Sequence, residues 1–281
     1  MTIHRNSNLW GRIAGIITVI ASGVMFATLV TGQESTRLTP LQREIERQRQ
    51  RLGALEAEER RDALMRLANL KRPEASRAAT AALNDTSPTV RAAAAHAVLS
   101  LPNQEAATQL LPLLKDKSEF VRREIAFALG EARHPSAVSA LADLLSRDKE
   151  HSVRAAAAIA LGEIGDAAAM PALSQIIAGD GSKKRKSKSD EEEFVVRSAV
   201  RSLGRIGSRA AVATLIAALQ NESNSIDTRR EAATALGLLG DAAALPALNA
   251  TFQANADPYL SEAARMAIRQ INRTKAKGAG N

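Results

Sequence analysis

Four histidines are the first residues to weigh as acid–base or metal-binding groups: His4, His96, His134 and His151. A helical metal site needs two ligands one turn apart so that both reach the same ion. Here no His-x-x-x-His pair occurs, and no histidine is followed by glutamate. Cysteine is absent, which removes disulfides, thiolate ligands and thiol nucleophiles. No serine stands in a Gly-x-Ser-x-Gly elbow, and no Gly-rich phosphate cradle ends in Gly-Lys-Ser/Thr. The expectation is a protein without catalytic residues, metal or cofactor.

The densest charge stands in "GDGSKKRKSKSDEEEF", residues 179–194, where Lys183, Lys184, Arg185, Lys186 and Lys188 precede a run of four acids. Such a basic run can meet lipid headgroups or another polyanion. A nucleic-acid grip needs more: a basic groove and, for single strands, stacking aromatics. Phe120, Phe127, Phe194, Phe252 and Tyr259 are too few, and the phenylalanines mostly sit at or beside apolar positions. Nucleic acid is therefore a disfavoured partner, and the five basic residues stand as an anion contact.

The elements that must position any site are helical. Only 2% of the 281 residues are aromatic, with one Trp and one Tyr. Alanine and leucine are abundant, and these are the best helix formers. The core must be built from Ala, Leu, Val and Ile packed closely. The net charge of +8 favours anionic partners in general, but five of those charges are local to the basic run.

The first residues read as an export segment. "IAGIITVIASGVMFATLV", residues 13–30, is an uncharged apolar run with Arg5 and Arg12 before it and no basic residue after it until Arg37. That asymmetry keeps the start of the chain cytoplasmic and sends the rest across the membrane. Cleavage after Gly32 would release the protein. Retention would leave it tethered through residues 13–30, a run of 18 residues that nearly spans a bilayer core. No cysteine follows, so a lipoprotein anchor is excluded.

Beyond it the chain repeats itself. "VRREIAFALGEARHPSAVSALADLL" from Val121 overlays, without gaps, segments starting at Val90, Val153, Val195 and Thr228. Weaker copies start at Glu59 and Leu260, so the spacings are 31, 31, 32, 42, 33 and 32 residues. In each copy apolar residues recur at helical spacing twice, as in Val121, Ile125, Ala128 and Leu129, then Val138, Leu141, Leu144 and Leu145. Gly165, Gly207 and Gly240 suit left-handed caps between the two helices. Asp166 and Asp241 are placed to cap the second helix, and Pro171 and Pro246 fall in its first turns. One pair cannot cover both apolar stripes, but stacked pairs can. The spacing of 42 marks an insertion of about ten residues within residues 178–189. It is Gly-, Ser- and Lys-rich, the composition of an exposed loop.

The recurring D-x-x-x-x-V-R-x-x-A-x-x-A-L-G-x-I-G-D-x-x-A-x-P-A-L pattern resembles the HEAT family, in the short bacterial form also found in phycobilin lyase subunits. The resemblance covers residues 59–271. It implies an all-α, right-handed α-solenoid of about seven two-helix repeats, which the signal or transmembrane helix read from residues 13–30 precedes. It also implies a ladder in which an Asp before one first helix meets an Arg inside the first helix of a neighbouring unit. The acids in register are Asp85, Asp116, Asp148 and Asp190, and the bases are Arg60, Arg91, Arg122, Arg154 and Arg229. Val196 and Ser261 occupy the Arg position in two units, so the ladder should be weakest there. HEAT-like hydroxylases carry His-Glu pairs for iron, and this chain has none.

The expected order is a signal peptide or anchor (1–32), a helical spacer or cap (33–58), the repeat array (59–271) and a frayed tail (272–281). The expected function is that of a non-catalytic scaffold, which the export segment places in the bacterial cell envelope, periplasmic, secreted or tethered with the repeats outside. The partner would be a protein or peptide held on the concave layer of second helices, with Gln109, Ser139, Ser174 and Thr214 exposed there. An accessory subunit of a bilin-lyase-like complex and a polyanion binder acting through the basic insertion are the alternatives.

Overall fold

A computed structural model describes residues 38–179 and 189–278. The apolar run 13–30 and the basic residues Lys183, Lys184, Arg185, Lys186 and Lys188 lie outside the described residues. No helix among the described residues is long and apolar enough to cross a membrane.

The chain divides into two units, Met1–Arg47 and Gln48–Asn281. The described part of the first opens helix α1, Pro40–Arg51. Its start is a capping box: the Gln42 amide N–H donates to Thr39 Oγ1 at 3.2 Å, and the Thr39 N–H donates to Gln42 Oε1 at 2.9 Å. Pro40, whose missing N–H costs nothing at that position, follows the cap.

The second unit holds the repeats. Their first helices are α2 (Ala57–Asn69), α4 (Pro88–Ala97), α6 (Glu119–Ala132), α8 (His151–Ile164), α10 (Asp190–Ile206), α12 (Ile226–Leu239) and α14 (Pro258–Gly278). The second helices are α3 (Pro73–Ala79), α5 (Asn103–Leu110), α7 (Val138–Arg147), α9 (Met170–Ala178), α11 (Val212–Gln220) and α13 (Leu245–Ala254). There is no strand among the described residues. Each first helix packs on the next first helix, and α7, α9, α11 and α13 pack in the same serial way. The two layers meet over Leu64, Leu110, Leu129, Leu141, Leu161, Leu173, Leu203 and Leu215, all fully buried. Each such leucine contributes about 1.5–3 kcal/mol relative to an exposed one.

The junctions use local chemistry. Gly165, Gly207 and Gly240 end their helices with φ of 75°, 76° and 67°, a conformation that costs a side chain and so selects glycine. Arg133 takes the same role in its unit at φ 51°. Asp166 and Asp241 accept from the N–H two residues on, Ala168 and Ala243, each at 2.9 Å. Two expectations are corrected. The seventh unit consists of α14 alone among the described residues, so it is not a helix pair. Residues 272–278, read as frayed tail, continue α14, because no proline interrupts them and no glycine occurs before Gly278.

Candidate functional site

Three rungs of the ladder form. Arg60, Arg91 and Arg122 each close a two-pronged fork on the acid of the next junction. Nε donates to Oδ2 of Asp85, Asp116 and Asp148 at 2.7 Å in every case, and Nη2 donates to the other oxygen at 2.7–3.0 Å. The remaining Nη1 of Arg91 donates to the Asp85 carbonyl, and that of Arg122 to the Asp116 carbonyl. Each guanidinium therefore ties two successive junctions together, and each acid also accepts from the N–H two residues on. These rungs are largely buried, with side-chain exposures of 8% and 10% for Arg91 and Asp116. The Arg60 fork holds the Asp85 carboxyl below its ordinary pKa, against burial. At Asp116 and Asp148 burial alone would raise it, but the Arg fork and the nearby N–H outweigh that, and both end lowered.

The fourth and sixth rungs depart from expectation. Arg154 reaches Glu192 at 2.6 Å rather than Asp190, and His151 Nε2 shares the same oxygen at 3.0 Å. The cause is helix length. In register α10 starts three residues earlier than α6, so Asp190 lies in its first turn instead of in the extended segment before it. Arg229 donates from Nε to the Leu219 carbonyl at 2.8 Å, because the residue in register at the next junction is Asn255 and not an acid. Where Val196 replaces the arginine, its neighbour Arg197 makes a longer contact to Asp227 at 3.4 Å. Ser261 buries a hydroxyl that has no hydrogen-bond partner among the described residues.

The second-helix layer carries the expected partner residues in two groups. Gln109 and Ser139 are exposed on α5 and α7. Ser174 and Thr214, expected to be exposed, are half-buried because α9 and α11 bring them together, with hydroxyls 3.5 Å apart. They line an open cleft of about 620 Å³ between α9 and α11, with Pro171, Gln175, Ala217 and Asn221. The helices α9 ("MPALSQIIA"), α11 ("VATLIAALQ") and α13 ("LPALNATFQA") contain no charged residue, in a chain that is 24% Asp, Glu, Lys and Arg.

The first-helix layer is the opposite. A groove of about 570 Å³ runs over α10, α12 and α14. Arg197 stacks on the Phe194 ring at 5.5 Å, and Arg230 stacks on Tyr259 at 5.5 Å. Both guanidiniums converge on one carboxylate, Asp227, at 3.4 and 2.9 Å. Arg201 is closed on Glu231, and Arg265 on Glu262. The rings are not core residues: Phe194 is 43% and Tyr259 is 70% exposed. Sequence reasoning passed over this groove. The signal was the register: Phe120, Phe194 and Tyr259 overlay one another, with Arg123, Arg197 and Arg230 at one shared position nearby.

The described histidines lie apart. His96 meets Glu124 at 3.3 Å, His134 caps the turn before α7, and His151 joins the fourth rung. No group of three His, Asp or Glu that could hold a metal occurs among the described residues.

An all-helical stack of this kind defines a helical repeat scaffold. The family model for HEAT repeats matches residues 45–129, 108–189 and 186–269, and the chain belongs to the HEAT-repeat family. No curated protein matches it in sequence. Among solved structures it is similar to E. coli YibA, with 21% identity, a TM-score of 0.55, and coverage of 83% of this chain and 82% of that one. The complex of CpcE and CpcF of phycocyanin lyase from Nostoc sp. PCC7120 shows 21% identity and a TM-score of 0.48, covering 84% and 95%. Human deoxyhypusine hydroxylase shows 20% identity and a TM-score of 0.41, covering 82% and 96%.

Proposed function

We propose that the chain is a non-catalytic scaffold of the bacterial cell envelope, a right-handed solenoid that holds a protein or peptide partner on its second-helix layer. Residues 13–30 export the array or tether it. The observation that carries this reading is the charge-free run of α9, α11 and α13. The buried centre of a protein interface is depleted in charge, because desolvating a charge is costly. Ser174, Gln175, Thr214 and Asn221 supply neutral donors and acceptors around the cleft, and these lose less on desolvation than ions do.

The test is site-specific photo-crosslinking in cells. A photoreactive residue at Thr214 should give a discrete adduct that one at the exposed Arg66, on the first-helix layer away from α10, α12 and α14, does not. Adducts of equal yield from both positions would refute the assignment, as would a pigment co-purifying with the chain. Sequencing the mature protein checks export separately: a start at Gln33 means release, and retained Met1 means tethering.

A further inference from the structure

We infer that the groove over α10, α12 and α14 is a second binding site, for an acidic peptide segment that carries a large apolar side chain. It lies on the first-helix layer and stands whether or not the second-helix layer is occupied.

Two features of the groove point to this chemistry. The first is its charge balance. Arg201 and Arg265 are each closed in a fork on one acid, Glu231 and Glu262. Arg197 and Arg230 have a single acid between them, Asp227, and each gives it one N–H. A guanidinium carries five N–H donors, so the pair is under-neutralised by one charge and rich in donors. A second carboxylate is the complement. The aromatic stacking that positions both cations survives its arrival, because a ring face and a carboxylate engage different sides of a guanidinium.

The second feature is apolar. Phe194, Tyr259 and Met266 flank the two cations and are among the exposed large apolar side chains of the protein. An aliphatic or aromatic side chain set down among them removes that surface from water. Unit three gives the contrast: Arg123 stacks on Phe120 at 5.3 Å but already gives two N–H groups to one oxygen of its own acid, Glu124, so no charge is left over. One excess charge is too little for a nucleic acid, whose grip requires many neutralised phosphates.

The experiment selects phage-displayed heptapeptides on the immobilised full-length chain, then titrates the enriched sequences as fluorescein-labelled peptides by anisotropy. Enriched peptides should place Asp or Glu within a turn of Phe, Leu, Met or Trp. Arg197→Ala with Arg230→Ala should weaken binding at least tenfold, and Thr214→Asp should leave it unchanged. Asp227→Asn removes the competing acid and should tighten binding several-fold, a gain that misfolding cannot produce. Enrichment of peptides without acids overturns the proposal, as does binding indifferent to both Arg substitutions. Retention of a 30-base-pair DNA duplex that depends on Arg197 and Arg230 would replace it with a nucleic-acid site.

Discussion

Gly204 of α10 lies so close to Ala235 of α12 that a Cβ on the glycine would stand 2.7 Å from the alanine methyl. The same approach recurs between Gly130 and Ala160, Gly162 and Ser202, and Gly237 and Ala267. These glycines set how near successive first helices come. Gly204→Ala forces the two helices apart and is expected to cost about 2 kcal/mol, within the usual range for overpacking. Urea titration measures it. Gly165 faces open space, so Gly165→Ala should register only the left-handed backbone penalty of about 1 kcal/mol.

The buried rungs are the next lever. Arg91→Ala leaves Asp116 without its fork in a nearly closed site and is expected to cost about 3 kcal/mol. Asp190→Ala should change stability by less than about 0.5 kcal/mol, since that side chain is exposed. Glu192→Ala should cost more than Asp190→Ala. The reverse order would return the fourth rung to Asp190.

Acid should loosen the array from the side of the carboxylates. Asp85, Asp116 and Asp148 are held below their ordinary pKa in the folded chain. Their contribution is therefore complete above the unfolded aspartate value of about 3.9. It is lost as pH falls through the lower folded values. Urea midpoints followed from pH 7 to pH 2 should drop below about pH 4. The triple variant Asp85→Asn, Asp116→Asn, Asp148→Asn should start lower and fall less steeply. Parallel curves for the two proteins would show that these rungs do not govern acid stability.

Ser261 offers a change in the stabilising direction. Its hydroxyl is buried with no partner among the described residues, and an unsatisfied group of that kind costs about 1 kcal/mol or more. Ser261→Ala should raise the melting temperature. A lower one would mean that the hydroxyl is hydrogen-bonded in solution.

The helix pairs, the glycine caps and the first three rungs were legible because each depends on spacing that repeats. Arg60 to Asp85 and Arg91 to Asp116 are both 25 residues apart, and Arg122 to Asp148 is 26. The fourth rung was not legible, because it depends on where α10 begins, and a shift of three residues there exchanges Asp190 for Glu192 as the acceptor. The first-helix groove was hidden for a different reason. Its parts are ordinary surface residues until Arg197 and Arg230, on different helices, turn toward the same Asp227. The charge-free character of α9, α11 and α13 was readable in their letters, but it gained meaning only once those helices were adjacent.

The change in rung chemistry along the array has a mechanical consequence. Forked, shielded ties join the first four units. Beyond them the rung positions hold one shared glutamate oxygen and a long surface contact, and units five and six are joined instead by the exposed Arg201–Glu231 fork. In a chain where each unit touches only its neighbours, resistance to stretching and bending adds junction by junction. Salt acts on the junctions unequally: the buried rungs of units one to four are screened less than the exposed pairs that join units five and six. The Asp227 groove lies beside those exposed pairs, so a ligand bound there would rest on the junction that salt slackens most.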